Sequence, residues 1–319
     1  MCGIAGFVND MPIDVKCPVL QRMTDMIAHR GPDSEGHYID EHAALGHRRL
    51  SIIDLGGGQQ PIYNEDGSKV ITFNGEIYNY QTLREELIAA GHTFTTKSDT
   101  EVLLHGYEQW GVDLLQRVRG MFTFVIWDKN KQELFGARDH FGIKPFYYAK
   151  MNGTFMYASE IKSLLRHPDF VKKLNAEALK PYMTFQYPAI GETFFKGVYK
   201  LPEGHYFTYR DGKMDIHRYY DEDFREGKQK LGELVNSIDQ TVCDSVKAHQ
   251  IADVEVGSFL SSGVDSSYVA AVARPQHTYS IGFGKGTYNE SQQAGELAEL
   301  LKLNNTAESL TDEEAFAAF

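Results

Sequence analysis

The sequence predicts an α/β protein of about two domains. Three observations carry this. The 319 residues are about twice a common domain length. Short apolar runs of strand length alternate with segments of helical period along the chain. At 220–232 the composition turns charged and glycine-containing, and a new strand–loop–helix pattern begins beyond it. Domains are therefore placed at 2–219 and 233–319, with 220–232 as linker.

Hydrophobic residues make up 42% and charged residues 24%, an ordinary globular mixture. A net charge of −12 argues against nucleic acid or an acidic membrane as partner, while leaving room for a local basic pocket. Cys2, Cys17 and Cys243 are the only cysteines, an odd and sparse set that fits a reducing compartment. Asn9, Asp10 and Asp14 interrupt any early apolar run, so no signal peptide is read. No apolar stretch reaches membrane-spanning length. A cytoplasmic protein is expected.

Ile4 to Val8 reads as a buried strand ended by Asn9-Asp10, which would hold the amino terminus rigidly. Leu20, Met23, Met26 and Ile27 lie at helical spacing, so a helix is expected after Pro18. It runs into His29-Arg30-Gly31-Pro32-Asp33, where Gly-Pro forces a turn. Leu45 to Ile53 reads as a strand carrying Arg48 and Arg49, by themselves as suited to a solvated edge as to a site. Val70 to Phe73 is a strand ending in Asn74-Gly75-Glu76-Ile77-Tyr78-Asn79, and Asn-Gly alone signals only a hairpin turn. Leu83, Leu87 and Ile88 mark a helix ended by Gly91. Ser98-Asp99-Thr100-Glu101 opens another, with Val102, Leu103 and Tyr107 on one face and Ser98 or Asp99 as N-cap. Tyr206 to Tyr209, with an Asp211-Gly212 turn, is sheet.

Beyond the linker, Ile238, Val242 and Val246 recur on a helix reaching about His249. Glu255 to Leu260 reads as a buried strand running into Ser261-Ser262-Gly263-Val264-Asp265-Ser266-Ser267 and a helix through Val272. A small polar loop between strand and helix presents backbone N–H groups to phosphate. It is not a Walker A loop. Gly282 to Thr287 also fails that spacing and reads as a glycine-rich turn. A strand at Thr278–Ile281, a helix over about 290–301, a strand at Thr306–Leu310 and a capping box at Thr311–Glu314 complete the chain.

Cys2 becomes residue one if Met1 is removed, which its small side chain favours. Its thiol then shares a framework with an α-amine whose ordinary pKa is about 7.7–8.0, able to act as base for a terminal nucleophile. A Cys at position 2 means little alone; the surrounding chain gives it meaning.

Cys2-Gly3-Ile4, His29 to Asp33, Asn74 to Asn79 and Ser98 to Glu101, in that order, resemble the glutaminase domain of class II glutamine amidotransferases. Arg138-Asp139-His140-Phe141-Gly142-Ile143-Lys144-Pro145 and Ala158-Ser159-Glu160-Ile161-Lys162 resemble its later part. The resemblance implies an N-terminal-nucleophile hydrolase fold, an αββα sandwich, and hydrolysis of glutamine through a cysteinyl thioester to glutamate and ammonia. It implies Cys2 as nucleophile with its α-amine as base, and Asn74 and Gly75 as oxyanion hole. Arg49 would grip the substrate's α-carboxylate, where a planar fork suits two oxygens. Asp99, helped by Glu76, would hold the α-amine. Glycine at 75 would let the backbone approach the reacting carbonyl. Cys17 and Cys243 lack such context and are read as small buried hydrophobes.

Ser261–Ser267 resembles the pyrophosphate loop of ATP pyrophosphatases, usually Ser-Gly-Gly-x-Asp-Ser, with Ser262 in place of the first Gly. A class II glutaminase followed by this loop is the layout of the glutamine-hydrolysing asparagine synthetase family. That resemblance implies aspartate and ATP with Mg²⁺ as substrates, β-aspartyl-AMP as intermediate, and ammonia displacing AMP. Leu260 and Ile281 would line the ATP site. Ser261, Ser262, Gly263, Val264, Asp265 and Ser266 would meet the pyrophosphate. No permanently bound cofactor and no protein-held metal is expected, and a homodimer is a candidate assembly of the full-length protein. Some three strands cannot cover a doubly wound sheet, so the second domain is expected to be incomplete, with the acceptor site beyond residue 319. Three alternatives stand beside this reading: an amidotransferase of the same layout with another acceptor, a fragment acting only as a glutaminase, and a glutamine-binding module without turnover, which Cys2 argues against.

Overall fold

In the computed structural model, which describes residues 1–283 and 290–317, the chain divides into the units Met1–Phe224 and Arg225–Phe319. The first unit begins with β1 (Gly3–Val8), α1 (Ile13–Asp25), β2 (Ser34–Ile39), β3 (Ala43–Arg49), β4 (Ile62–Tyr63) and β5 (Lys69–Ile77). Then follow α2 (Tyr80–Ala89), α3 (Asp99–Trp110), β6 (Gly120–Asp128), β7 (Glu133–Arg138), β8 (Tyr147–Met151), β9 (Thr154–Ala158) and α4 (Ile161–Leu164). It ends with α5 (Ala176–Phe185), β10 (Val198–Lys200), β11 (His205–Arg210) and β12 (Lys213–Arg218).

These strands form two antiparallel sheets, ordered β10-β8-β9-β1-β3-β2 and β12-β11-β7-β6-β5-β4. The inner strands, β1 (Gly3–Val8) among them, are apolar on both faces because both faces are covered. Ile4, Leu45, Val70, Val125, Trp127, Phe155 and Phe207 form one core cluster drawn from both sheets. On the outer face of the first sheet, Ala5, Phe7 and Met156 meet Val19, Leu20 and Met23 of α1 and Leu164 of α4. On the second, Tyr107 of α3 stacks on Phe135 of β7 at 4.8 Å. The layers are helix, sheet, sheet, helix.

Four local expectations are corrected. The first helix starts at Ile13 and holds Pro18 inside it. An internal proline costs about 3 kcal/mol, but Val19, Leu20 and Met23 are essentially fully buried, and each such side chain contributes about 1.5–3 kcal/mol. The buried face is Lys16, Val19, Leu20 and Met23, so Cys17 falls outside it and is exposed, while Cys243 is half-buried; neither is a buried hydrophobe. Lys16 can sit on that face because its Nζ donates to the carbonyls of Asp40 (3.1 Å) and Glu41 (2.6 Å). The strand begun at Leu45 ends at Arg49 rather than Ile53. Asn74-Gly75 is not a turn: β5 runs through it, paired with β6 from Lys69↔Asp128 to Ile77↔Gly120. A Cβ on Gly75 would lie 2.2 Å from the Met121 carbonyl oxygen. This glycine is therefore demanded by tight strand pairing as well as by any approach of substrate.

The second unit contains α6 (Leu231–Ala248), β13 (Ser258–Phe259), α7 (Val264–Ala273), β14 (His277–Phe283), α8 (Ser291–Leu301), β15 (Asn304–Leu310) and α9 (Asp312–Ala317). Its sheet, β13-β14-β15, is parallel. The strand expected over Glu255–Leu260 shortens to two residues, because its pairing with β14 covers only Ser258 and Phe259. Leu260, Ala270, Ala294 and Ala298 form its buried apolar cluster. Thr311 and Glu314 make the expected reciprocal cap: the Glu314 N–H donates to Thr311 Oγ1 and the Thr311 N–H to the Glu314 carboxylate. Most of the Gly282–Thr287 turn lies outside the described residues. Among those described, no helix is long and apolar enough to cross a membrane.

Candidate active site

Cys2 immediately precedes β1, and two motifs clamp it there. The Ile4 N–H donates to Ser159 Oγ (3.0 Å), and the Ser159 N–H donates back to the Ile4 carbonyl (2.8 Å). Arg30 Nε donates to the Cys2 carbonyl at 2.9 Å, while its Nη1 pairs with Glu160 at 3.1 Å. The segments around Arg30 and Glu160 thus fix the backbone that carries the thiol. Leu50 brackets the sulfur, its N–H 3.4 Å and its carbonyl 3.5 Å from Cys2 Sγ. Burial pushes the thiol pKa above its ordinary value, opposed by the hydrogen bond with Leu50. Met1 lies at the same cleft, its Sδ 2.9 Å from Lys144 Nζ.

The cleft is lined by Cys2, Arg49, Asn74, Gly75, Glu76 and Asp99 together. Asn74 is buried, yet among the described residues neither its Oδ1 nor its Nδ2 has a hydrogen-bond partner. A buried amide without partners costs about 1–3 kcal/mol. The direction of the Gly75 amide follows from its neighbours. Phe122, opposite Gly75, uses both its N–H and its C=O on Asp139 (3.2 and 2.8 Å), so the Phe122–Gly75 pair exchanges no hydrogen bonds and the Gly75 N–H points away from β6. Two residues before, Phe73 directs its N–H and C=O to the Gln60 side chain (2.6 and 3.1 Å). Two residues after, the Ile77 N–H donates to Asp99 Oδ2 at 3.0 Å. The Gly75 N–H lies in this outward row, beside the Asn74 amide.

Arg49 and Asp99 stand at the same cleft with opposite character. Arg49, only 5% exposed, donates to the carbonyls of Ile53 (3.1 Å), Asp54 (2.7 Å) and Leu55 (3.3 Å), and among the described residues it forms no ion pair with a carboxylate. Its neighbour Arg48 points the other way, into the surface acids Asp25 and Glu35. Asp99 is the first residue of α3, whose N-cap is Ser98, accepting from the Thr100 N–H. Burial, reinforced by the nearby Glu76 charge, raises the Asp99 carboxyl to about 7. Among the described residues, the cleft thus has a cation held by neutral carbonyls and a buried acid lining the same space.

Several lining residues were not singled out in the sequence: Ile52, Ile53, Gly58, Gln60, Thr100 and Lys144. Lys144 had a signal, since it sits in the Arg138–Pro145 motif. There Arg138 donates to the carbonyls of Gly142, Lys144 and Leu201, and Asp139 accepts from the N–H groups of Phe122, Phe141, Ile143 and Lys144. This buried knot fixes Lys144, whose ammonium burial holds below its usual pKa, offset by Glu76. Gln60 and the fully buried His47, whose Nε2 donates to the Phe73 carbonyl at 3.0 Å, carried no signal.

In the second unit, Leu260 and Ser261 follow β13, and Ser262 and Gly263 lead into α7, whose first residues are Val264, Asp265 and Ser266. Ser261 Oγ accepts from the Gly263 N–H (3.1 Å) and lies 2.8 Å from Ser266 Oγ. Ser262 has no positive φ and Gly263 has φ −70°, so serine at 262 fits without left-handed strain. Ile281 lies in β14 with its side chain exposed, whereas Leu260 is buried.

Two facing antiparallel sheets with helices outside them define the αββα fold of N-terminal-nucleophile hydrolases. The same fold is seen in a glutamine phosphoribosylpyrophosphate amidotransferase from B. subtilis complexed with ADP and GMP: TM-score 0.53 and 16% identity, covering 96% of this chain and 65% of that one. A structure described as the allosteric regulatory enzyme of purine biosynthesis matches at TM-score 0.51 and 14% identity, over 97% and 80% of the two chains. The chain belongs to the glutamine amidotransferase domain family, whose model matches residues 1–220; a model described as asparagine synthase matches residues 237–319. It is 43% identical to asparagine synthetase [glutamine-hydrolyzing] 1 of Bacillus subtilis strain 168, over 98% of this chain and 51% of that protein. It is 39% identical to asparagine synthetase [glutamine-hydrolyzing] 2 of that strain, over 96% and 43%. The chain spans about half the length of the curated relatives it matches.

Proposed function

We propose that this chain hydrolyses glutamine at Cys2, as the ammonia-producing half of a glutamine-dependent asparagine synthetase. The observation that carries the first part is the pairing of an unpartnered buried Asn74 amide with the outward row of amides through Gly75, at the cleft that holds the Cys2 thiol. Once Met1 is removed, the freed α-amine takes the thiol proton as Sγ attacks the amide carbon of glutamine. Burial disfavours the thiolate, so transfer to that amine is what makes the sulfur nucleophilic. The developing oxyanion accepts hydrogen bonds from Asn74 Nδ2 and the Gly75 N–H. The C–N bond breaks as the proton passes to the leaving nitrogen, giving ammonia and a thioester; water then releases glutamate. Arg49 holds the substrate carboxylate, and Asp99 with Glu76 holds its ammonium.

The second part rests on the 237–319 match to the asparagine synthase model and on the relatives above. ATP and aspartate are the further substrates, and the ammonia displaces AMP from β-aspartyl-AMP. The Ser261–Ser266 loop fits a phosphate chain, being a solvent-open turn of hydroxyls at the start of a ten-residue helix. Asp265 and its flanking serines would meet the pyrophosphate, with Mg²⁺ arriving on the ATP and supplying charge neutralisation at the phosphates. A cytoplasmic setting fits the three unpaired thiols. The test is to incubate the purified chain with glutamine and measure glutamate and ammonia: no release above the rate of a Cys2→Ala chain refutes the glutaminase reading.

A further inference from the structure

A second group of reactive side chains gathers away from Cys2, around the middle of α3. Glu65 comes from the turn between β4 and β5, His92 from the loop after α2, and His105 and Glu108 from α3 itself. One donor atom from each lies within 4.8 Å of all the others. The close pairs are His92 Nδ1–Glu65 Oε1 at 3.1 Å, His105 Nδ1–Glu65 Oε2 at 3.3 Å and His105 Nδ1–Glu108 Oε2 at 3.2 Å. A tetrahedral ion with bonds of about 2.0–2.2 Å spaces its ligands about 3.3–3.6 Å apart. His105 Nδ1 is thus already near that spacing from one oxygen of each glutamate, His92 Nδ1 from the other Glu65 oxygen, and the widest pair needs to close by about 1 Å.

The surroundings complete the pattern. Both rings turn Nδ1 inward; outside, His92 Nε2 meets Gln109 Oε1 at 3.3 Å, while His105 Nε2 makes no hydrogen bond among the described residues, the Glu101 carboxylate standing 3.5 Å away. For His92 that is the outer acceptor a metal-ligating imidazole uses, and for His105 the nearby carboxylate stands where one would be needed. The carboxylates are braced too. Glu108 Oε1 accepts from Asn64 Nδ2 (2.7 Å) and Lys69 Nζ (3.3 Å), leaving Oε2 for the centre. Glu65 Oε1 accepts from the Thr93 N–H at 3.1 Å. The rings lie 5.0 Å apart, so both Nδ1 atoms and both carboxylates converge on one small space between them.

We infer that Glu65, His92, His105 and Glu108 form a closed site for a divalent transition ion, with Zn²⁺ the ion that two imidazoles and two carboxylates fit best. Four protein ligands leave no open position, so the role is structural. The ion ties the β4–β5 turn and the α2–α3 loop to the helix whose first residue, Asp99, lines the cleft.

The test uses the 319-residue chain carrying Cys2→Ala, which removes the cleft thiol as a rival ligand. After chelator treatment, Zn²⁺ is titrated by calorimetry and Co²⁺ by visible absorption. The expected result is one equivalent bound with micromolar or tighter affinity, cobalt bands of a tetrahedral N/O site without thiolate charge transfer, and a higher unfolding temperature with Zn²⁺. His92→Gln, at a partly exposed position that should tolerate it, should weaken Zn²⁺ binding about 100-fold, and Glu101→Gln, outside the ligand set, by about 10- to 100-fold. Should His92→Gln not fold, Glu65→Gln at the exposed turn takes its place. Absence of Zn²⁺ binding, a thiolate band in the cobalt spectrum, or unchanged affinity in the ligand variants overturns the site and leaves a proton-bridged ion-pair network.

Discussion

If Asp99 receives the ammonium of glutamine, glutamine binding must release a proton. Asp99 is buried against the Ile77 amide, and burial with the Glu76 charge raises it from 3.8 to about 7. Below pH 7 the free protein therefore holds Asp99 neutral, while the bound ammonium requires it ionised. Affinity rises as pH rises, by about tenfold per unit well below 7, and levels off above it. Between pH 8 and pH 6 the ionised fraction falls about tenfold, so the dissociation constant of glutamine should weaken by about that factor. The assay is calorimetry on the Cys2→Ala chain, which binds without turnover, in buffers of different ionisation heat. Near pH 6 close to one proton should be released per glutamine, and Asp99→Asn should abolish the release. The same shift has a stability consequence of opposite sense. Because the folded pKa lies above the unfolded one, the folded state holds an extra proton between about pH 4 and 7, and stability falls as pH rises through that window. The full loss is about 4 kcal/mol, so Asp99→Asn should unfold at higher temperature than the parent at pH 8. A glutamine affinity that is flat from pH 6 to 8 in the Asp99 protein would refute the assignment.

Other expectations concern the nucleophile, its donors and the second unit. Cys2→Ala should abolish glutamine hydrolysis with little change in unfolding temperature, and a chain whose Met1 cannot be removed should be equally inactive; full activity in either sinks the N-terminal nucleophile. Asn74→Ala should lower kcat by about 10²–10³ with a smaller change in KM, since its amide is unpartnered until charge develops; a loss confined to KM would place it elsewhere. Arg49→Lys trades a fork for a point charge and should weaken glutamine binding by roughly 10- to 150-fold, from a charge-assisted bond of ~1.5–3 kcal/mol. The Arg225–Phe319 unit, with Leu260, Ala270, Ala294 and Ala298 as its buried cluster, should exchange amide hydrogens faster than Met1–Phe224. Glutamine hydrolysis by this chain should be indifferent to ATP and aspartate. Slow exchange in that unit, or asparagine formed by the chain alone, would contradict this.

Much of the fold was legible because apolar period reports which faces are covered. The run Ile4–Val8 is buried on both sides, and α3 begins at the cap read from Ser98-Asp99. Two of the differences share one cause. Pro18 and Asn74-Gly75 are strong local signals of interruption, and each was overruled by packing: α1 by Val19, Leu20 and Met23 against the first sheet, β5 by nine consecutive pairings with β6. Cys17 was misplaced because its neighbours Lys16 and Val19 define the buried face and a lysine is an unexpected member of it.

What the sequence determined by itself is the inventory and order of the chemistry: a thiol at position two, the Asn-Gly pair, the two arginines, the capped acid, and a serine-rich loop in a separate unit. These are properties of residue type and local spacing, which a linear chain carries in full. Only the tertiary structure decided direction. Arg48 and Arg49 are adjacent, yet one meets surface acids and the other the cleft, because successive strand residues face opposite ways. The Gly75 amide turns outward because Phe122 is engaged with Asp139 on its other side. Asp99 becomes a weak acid because α3 buries it beside Glu76. Glu65, His92, His105 and Glu108 are scattered along 44 positions of sequence and converge only when the β4–β5 turn and the α2–α3 loop close onto one helix. Pairing partners and burial are set by parts of the chain distant in sequence, so these features exist only once the chain is folded.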